Sequence, residues 1–325
     1  MKFERRRAMR IMATALLGLA PLLSHAQSFP SRPIAMVVPY PPGASTDLVA
    51  RLVAPKLAAS LGQPVIVENR GGANGSVGAA YVAKSPPDGY RILLATQPIL
   101  AINPYLQKDL GFDPLKDLTP LTKAVNAPVG LAVHASLPIH SLAEWIAYAK
   151  KNPGELTYGT AGAGSPQHIG GVLLSQRAQI DTTHVPYKGG GPMIADLLAG
   201  HIKSGIATMS VFKSHMNGPN IRVIAIGELT RFAGTPEVPT MAETLPGFEL
   251  ATWLGFFGPG GMSHDLVALL SRDLVKALHA EDVRSKLQEA ALLVAADGPD
   301  AMAKVVRTDY EVYGRIIRDH RIATE

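Results

Sequence analysis

Two loops in this sequence bring together backbone N–H groups and hydroxyl side chains, the donors from which a small-anion site can be built. The first lies in Val37–Arg51, with the sequence VVPYPPGASTDLVAR, and the second in Tyr158–His168, with the sequence YGTAGAGSPQH. Each leads from a strand-like run into residues at helical spacing. The first N–H groups of a helix lack intrahelical partners, and its dipole favours negative charge there. Either loop alone is as consistent with an ordinary turn, but the pair predicts a clamp for a small anion.

The second loop supplies hydrogen-bond donors of two kinds. Thr160 and Ser165 carry hydroxyl groups, while Ala161, Gly162 and Gly164 expose backbone N–H groups because their side chains are small. Such donors bind a carboxylate firmly where water is excluded, since a low local dielectric constant strengthens each contact. The loop therefore predicts binding through main-chain and hydroxyl groups, with no formal positive charge.

Further candidates lie in the first loop and at two neighbouring positions. Ser45, Thr46 and Asp47 are residue types that commonly cap helix N-termini. Thr96 ends an apolar strand, and the carboxyl ends of strands line the crevices in which α/β proteins bind ligands. Tyr187 belongs to a third glycine-rich loop, with the sequence THVPYKGGG, and its ring can cover a ligand.

An exported α/β hydrolase is the main alternative that these residues leave open. Ser165, His168 and Asp47 are the residue types of a nucleophile, a base and an orienting carboxylate. The nucleophile elbow of such enzymes requires glycine two residues before the serine, and that position holds Ala163. The sequence therefore favours a binding protein over an enzyme, and His168 is expected to orient the loop at the start of a helix.

We expect neither a metal ion nor an organic cofactor. His184 and His201 are isolated in the sequence, and no histidine or carboxylate pair has the spacing of metal ligands. The run Gly162–Gln167 lacks the third glycine of a dinucleotide fingerprint and contains Pro166. The chain contains no cysteine, which excludes disulfides and thiolate ligands.

Residues 1–26 have the pattern of a signal peptide. A basic segment precedes the apolar run Ile11–Leu23, and Ser24-His25-Ala26 provides the small residues that signal peptidase requires. We expect cleavage after Ala26 and a periplasmic location; the arginines leave export by the twin-arginine or the general route open. The apolar run is short for a membrane span.

Removal of this segment brings the net charge close to zero. It holds five of the 31 lysines and arginines and one of the 26 acidic residues, so 26 basic and 25 acidic residues remain. No basic run is left that would indicate nucleic-acid or membrane-surface binding. The roughly 300 remaining residues are enough for two domains.

The order of the predicted elements indicates an α/β fold. Short apolar runs alternate with helical patterns, which favours a largely parallel sheet. We expect strands at 34–38, 64–68, 90–96 and 125–133, among others. The tail is predicted to be helical throughout, with helices at Ser263–His279, Asp282–Leu292 and Pro299–Ile317.

Five motifs, in order along the chain, resemble the Bug-type receptors, the extracytoplasmic solute receptors of tripartite tricarboxylate transporters. The motifs are VVPYPPGASTDLVARLVAPKL, LGQPVIVENRGGANGSVGAAYVAKSPPDGYRILLAT, LTYGTAGAGSPQHIGG, THVPYKGGGPMIADLLAGHI and PEVPTMAETLPGFELATWLGFFGP. The resemblance covers essentially the whole chain after the signal peptide.

The resemblance implies a type II periplasmic-binding-protein fold, in which two α/β domains joined by crossover strands close on a ligand. One domain would comprise residues 29–125 plus 252–325, and the other residues 126–251. The family's ligand contacts carry over to Gly43, Ala44, Ser45 and Asp47 in the first loop and to Thr160, Ala161 and Gly162 in the second. Ser165, His168 and Tyr187 are further candidates.

The resemblance also implies a function. The protein would be a monomer that captures a small carboxylated metabolite and delivers it to the membrane permease subunits of such a transporter; a ligand-sensing module is the remaining alternative. Ala44 stands where the family often has a second glycine. This departure bears on ligand choice, which the sequence leaves open.

Overall fold

The computed structural model describes residues 29–322, and the elements below lie in the unit Arg32–Glu325. Its ten described strands are β1 (Ile34–Val38), β2 (Val65–Asn69), β3 (Arg91–Thr96), β4 (Leu118–His134), β5 (Thr157–Thr160), β6 (Thr183–Pro186), β7 (Ser204–Thr208), β8 (Ile221–Ile226), β9 (Ala251–Pro259) and β10 (Leu293–Asp297).

Helices connect most of these strands. They are α1 (Ser45–Leu61), α2 (Ser76–Ala83), α3 (Gln97–Ala101), α4 (Asn103–Leu106), α5 (Leu142–Lys151), α6 (Pro166–Ala178), α7 (Gly190–Ala199), α8 (Met209–Phe212), α9 (His264–Leu278), α10 (Glu281–Glu289) and α11 (Pro299–Asp319). Among the described residues, none of these helices is both long and apolar enough to cross a membrane. The predicted signal peptide, residues 1–26, lies outside the described residues.

The long strand β4 pairs with strands in both halves of the sheet. The strand order is β2-β1-β3-β9-β4-β7-β5-β6, and β8 and β10 also pair with β4. The first half of β4 pairs with β9 and β10, while its second half pairs with β7 and β8. Two long neighbouring strands, β4 and β9, therefore join the two halves of the sheet.

The sheet is mixed, so the expectation of a largely parallel sheet is wrong. Among the described strands, four pairs are parallel and five are antiparallel. The antiparallel pairs all involve β4 or β9, because a strand that joins two halves must run against its neighbours in at least one of them. The three helices predicted in the tail are confirmed as α9, α10 and α11, but the tail is not helical throughout: β10 lies between the last two and pairs with β4 through Leu293 and Val294.

Burial of both sheet faces explains why the inner strands are continuous apolar runs in the sequence. In β1, Ile34, Met36, Val37 and Val38 are fully buried, since helices cover both faces of this part of the sheet. Val49, Val53 and Leu57 of α1 are likewise fully buried, at helical spacing. This packing fixes the direction of α1 and the place at which it begins.

The carboxyl ends of the parallel strands in the two halves point toward each other. Thr96 at the end of β3 pairs with Leu254 of β9, and Leu254 pairs in turn with Val125 of β4. Thr208 at the end of β7 is level with Val129 of β4. Because β3 runs along β4 and β7 runs against it, both ends approach one segment of β4. Four residues of strand span about 13 Å, so the loops that follow β3 and β7 begin at neighbouring positions along β4.

Candidate functional site

The first loop leads into a helix whose first turn has no side-chain cap. The N-cap residue of α1 is Ala44, whose side chain has no acceptor atom, so the expectation that Ser45, Thr46 or Asp47 would cap the helix is wrong. Among residues 29–322, no acceptor is bonded to the N–H groups of Ala44, Ser45 and Thr46. The buried Thr46 Oγ1 also lacks a partner there. This end of the helix therefore offers several donors that the described residues leave unused.

Asp47 arranges this loop. Its Oδ2 accepts hydrogen bonds from Gly43 N at 3.1 Å and from Arg51 Nε at 2.8 Å. Its Oδ1 accepts one from Asn69 Nδ2 at 3.0 Å, and the same amide donates to Tyr40 O at 3.0 Å. Both carboxylate oxygens are engaged within the protein. The structure thus gives Asp47 the role of holding Gly43 and the turn before α1 in place.

The electrostatics of Asp47 agree with this role. The hydrogen bond from Arg51 lowers the pKa of the buried Asp47 carboxyl to about 2, and the bonds from Asn69 and Gly43 act in the same direction. The carboxylate is therefore ionised at any physiological pH. Its charge is paired with Arg51 and leaves the neighbouring N–H groups able to attract an anion.

Thr96 is connected to the first loop through Tyr40. The Tyr40 hydroxyl and Thr96 Oγ1 are 2.9 Å apart, and either oxygen can be the donor. Burial raises the pKa of Tyr40, so its phenol remains protonated. Thr96 thus lies at the same edge of the sheet as the loop before α1, as its position at the end of β3 predicted.

A cavity of about 320 Å³ adjoins the first loop. Its lining consists of Gly43, Ala44, Ser45, Leu48, Ser210, Lys213, Glu289 and Ala290. Ser210 and Lys213 are not among the residues predicted from the sequence. A signal was present, because β3, β5 and β7 each end in threonine, and Ser210 follows the third of these, Thr208, whose hydroxyl lies 2.9 Å from Ser210 Oγ.

The Thr160 hydroxyl is the centre of the second loop. This fully buried oxygen lies 2.7 Å from His184 Nε2 and 3.5 Å from Ser165 Oγ. It also lies 3.3 Å from Gly162 N, which donates to it. The predicted residues Thr160, Ala161 and Gly162 therefore form one turn, tied to the sheet by a histidine that the sequence analysis treated as isolated.

Ser165 begins α6 as predicted. Its Oγ accepts a hydrogen bond from His168 N at 3.2 Å, so Ser165 is the N-cap residue. The ring of His168 in turn accepts a hydrogen bond at Nδ1 from Gly164 N at 3.0 Å. His168 thus orients the loop from the first turn of α6.

The imidazole rings of His168 and His184 are stacked. Their centroids are 3.9 Å apart and their planes differ by 9°. The description of His184 as isolated is therefore wrong in space: β6 pairs with β5 in parallel and places His184 beside Tyr158, next to the start of α6. Separations along the sequence gave no indication of this contact.

The third loop lies against the second. Tyr187 N donates to Thr160 O at 3.1 Å and Gly189 N donates to Ala161 O at 3.1 Å. The Tyr187 hydroxyl donates to Asp196 Oδ2 at 2.7 Å, which fixes the ring. Tyr187 therefore lies against the second loop, which is the position required of a side chain that covers a ligand bound there.

A hydrolytic triad is not assembled. Ser165 Oγ serves as the cap of α6, and no hydrogen bond joins it to the His168 ring among the described residues. Asp47 is bonded to Arg51 and Asn69 and not to either histidine. Among residues 29–322, no group of three or more metal-ligating side chains is clustered. The arrangement is suited to holding an anion and provides no activated nucleophile.

Two halves of an α/β sheet, joined by long strands and opposed at their carboxyl edges, define a binding protein of the type II periplasmic class. The family described as the tripartite tricarboxylate transporter family receptor matches residues 49–322. The chain therefore belongs to this family, and it is a solute-binding receptor rather than an enzyme.

Similar proteins support the same family. The chain is 34% identical over 307 residues to the protein BugT of Bordetella pertussis, with 94% of each chain covered. A structure of an R. palustris protein with adipate is 32% identical at a TM-score of 0.77, covering 91% of this chain and all of that one. MatC of Rhodopseudomonas palustris, with bound malate, is 30% identical at a TM-score of 0.72, covering 89% of this chain and all of that one. The predicted fold and receptor family are confirmed.

Proposed function

We propose that this receptor captures a small carboxylic acid between two domains in the periplasm and delivers it to the permease subunits of a tripartite tricarboxylate transporter. The observation that carries the proposal is the start of α1. A buried threonine hydroxyl and consecutive N–H groups lack partners there, beside a cavity. An unpaired buried hydroxyl such as that of Thr46 is costly unless a ligand or water satisfies it, and the N–H groups of a helix N-terminus favour an anionic ligand.

The two domains are residues 29–125 plus 252–325 and residues 126–251. The register of β4 supports this division, because the strand leaves the sheet half of β9 and β10 and enters that of β7 and β8 near its residues 126–128. Two antiparallel crossover strands allow the halves to bend about one axis. Closure is then stabilised by contacts that the ligand makes with both loops.

The ligand carboxylate is bound by the N–H groups of Ala44 and Ser45 on one side and by the turn Thr160–Gly162 on the other. The third loop closes over this second turn, with the Tyr187 ring as its cover. Thr96 borders the cleft from the end of β3. Gly43, Asp47, Ser165 and His168 hold the two loops in shape, since their polar groups are used within the protein.

The ligand class follows from the donors and from the relatives. Main-chain N–H groups and hydroxyls select for a carboxylate group but do not distinguish among the remaining parts of the ligand. The related structures hold adipate and malate, two dicarboxylic acids. The Ala44 methyl group narrows the approach to the first loop compared with glycine, which favours an acid that is slender beside its carboxylate.

The N-terminus and the charge are consistent with this setting. Residues 1–26 have the pattern of a signal peptide, which would be removed after Ala26 and leave a net charge near zero. We infer a periplasmic monomer whose partner is the permease.

Substitution of Ser45 by proline tests the proposal. Ser45 is the first residue of α1, where proline is well tolerated, and the extended backbone of Ala44 is compatible with a following proline. The change removes one N–H group and leaves the helix in place. We expect calorimetry to show malate or adipate binding at least about tenfold more weakly.

Two variants control for side effects. Ser45→Ala removes only the hydroxyl, and His264→Pro places proline at the first residue of α9, away from the cleft. Both are expected to leave affinity close to wild type, with Ser45→Ala separating the side chain from the N–H group. Native mass spectrometry of the purified protein would identify a co-purified acid. Unchanged affinity in Ser45→Pro for whichever acid binds would refute the site.

A further inference from the structure

The stacked rings of His168 and His184 are hydrogen-bonded to the second loop at two points. His168 Nδ1 accepts from Gly164 N, and His184 Nε2 lies 2.7 Å from Thr160 Oγ1. The two bonds hold opposite ends of the loop that contains Ala161 and Gly162. Movement of either ring is therefore transmitted to the turn Thr160–Gly162.

The bond from Gly164 fixes the protonation state of His168. A backbone N–H group can only donate, so Nδ1 must carry a lone pair and the neutral ring must carry its proton on Nε2. A proton added to Nδ1 would set two donors against each other at 3.0 Å. The loop geometry and a charged His168 are therefore mutually exclusive.

The contact of His184 with Thr160 governs where the hydroxyl proton points. If Nε2 accepts from Thr160, the hydroxyl has no proton left for other acceptors. If Nε2 carries a hydrogen, it donates to Oγ1, and the hydroxyl proton can turn to Gly162 O, 3.2 Å away, or to a ligand oxygen. The second arrangement is the one that supplies a donor to a carboxylate.

The surroundings disfavour charge on both rings. Among the described residues, the titratable groups that contact them are each other and the Tyr158 phenol, whose ring centroid lies 5.2 Å from that of His184. No carboxylate is hydrogen-bonded to either ring there. Burial lowers the pKa of His168, and burial together with the neighbouring His168 lowers the pKa of His184 to about 4. Both shifts favour neutral rings near neutral pH.

We propose that His168 and His184 act together as positioning residues for the second loop, and that acid releases the ligand because a proton on His168 breaks its bond to Gly164. This inference rests on the proposed binding of a carboxylate at Thr160–Gly162. Affinity is constant while both rings are neutral and decreases as the pH falls through the range in which His168 takes up a proton, which burial places below the ordinary imidazole pKa. A bound carboxylate would favour a proton on His184, and that effect alone would make binding tighter in acid. An affinity that increases as the pH falls would therefore overturn the proposal.

Amide side chains allow a matched test of each bond. Asparagine places its amide group near Nδ1 of a histidine, and glutamine places it near Nε2. His168→Asn and His184→Gln can therefore keep the bonds to Gly164 and Thr160, whereas His168→Gln and His184→Asn lose them. We expect the latter two to bind malate or adipate about tenfold more weakly at pH 7.5 and the former two to regain most of the affinity.

The pH profile separates positioning from a loss of packing. In His168→Asn the decrease of affinity in acid is expected to disappear, because asparagine does not titrate. His264→Gln, an exposed histidine at the start of α9, is expected to keep the wild-type profile. Equal affinities and equal profiles in all four ring variants would overturn the inference alone, while a wild-type protein that binds no carboxylate at pH 7.5 would overturn the proposed function.

A measurement without ligand tests the same geometry. Nitrogen-15 spectra of the histidine rings distinguish the two neutral tautomers. We expect His168 to carry its proton on Nε2 at pH 7.5. As His168 takes up a second proton, the Gly164 amide should lose its protection against hydrogen exchange. A proton on Nδ1 at neutral pH would contradict the proposal whether or not the ligand is known.

Discussion

Lys213 Nζ donates a hydrogen bond to the main-chain oxygen of Gln288 at 3.3 Å and a second to that of Glu289. These oxygens belong to the last turn of α10, where carbonyl groups lack intrahelical partners and the helix dipole is negative. Lys213 follows α8 in the segment 126–251, whereas α10 lies in the segment 252–325. The contact therefore joins the two proposed domains beside the cavity at the first loop.

Loss of this contact is expected to weaken ligand binding by favouring the open form. Lys213→Met keeps the length of the side chain and removes its charge and donors. An exposed cation at a helix C-terminus contributes about 0.5–1 kcal/mol, which corresponds to a two- to fivefold change in affinity. Calorimetry with malate or adipate measures the affinity, and small-angle scattering should show a larger radius of gyration for the ligand-free variant. Lys151→Met, on the surface of α5, is the control.

Local pattern was enough to predict the elements that carry the two loops. The apolar run at Ile34–Val38 indicates a strand and the small residues Ala161–Gly164 indicate a turn, and both are found there. Ser165 and Pro166 are residues that begin helices in any context, and α6 begins there. These parts of the site depend on interactions within about ten residues, which a single sequence displays.

Contacts between distant segments could not be predicted in the same way. The strand β10 pairs with β4 across more than 160 residues, and nothing local distinguishes Leu293–Asp297 from the end of a helix. His184 contacts His168 only because β5 and β6 are parallel neighbours. Lys213 resembles any exposed lysine until α10 is placed beside it. Strand pairing decides the first two and the placement of α10 decides the third, and both are properties of the whole fold.

Replacement of Asp47 by alanine should disturb the first loop and reduce stability together. The change removes the acceptor of three hydrogen bonds, one of them charge-assisted from Arg51, and should lower the free energy of unfolding by about 2 kcal/mol. Because folding depresses the pKa of this carboxyl to about 2, its contribution is present above about pH 4 and is lost as the pH falls toward 2. Urea unfolding at pH 7 and pH 3 should show the variant's deficit shrinking in acid. The exposed Asp319→Asn should show no deficit at either pH.

Gly162→Ala should strain the second loop. Gly162 has a φ of +145°, which side-chain-bearing residues rarely adopt, and an added Cβ would lie 3.3 Å from Tyr187 O. We expect a loss of stability of about 1–2 kcal/mol and weaker ligand binding, because the third loop must shift. Gly191→Ala is the matched control: it lies in the first turn of α7, and its added Cβ meets no atom within 4 Å. It should leave affinity unchanged and stability equal or slightly higher, and equal behaviour of the two variants would contradict the strain at Gly162.

Glu228→Gln should stabilise the protein at alkaline pH. Glu228 is 8% exposed, and its Oε1 has no hydrogen-bond partner among residues 29–322. Burial, with a smaller effect from Glu249, raises the pKa of Glu228 to about 7. Since the folded pKa exceeds the unfolded one, this group favours folding below about pH 4.5 and loses that effect as the pH rises through 7. The variant should gain about 1–3 kcal/mol over wild type at pH 8 and little at pH 5, measured by urea unfolding. The exposed Glu237→Gln should show no such pH-dependent gain. An equal gain at both pH values in Glu228→Gln would contradict the conclusion that the buried Glu228 carboxyl is uncharged in the folded protein at pH 5.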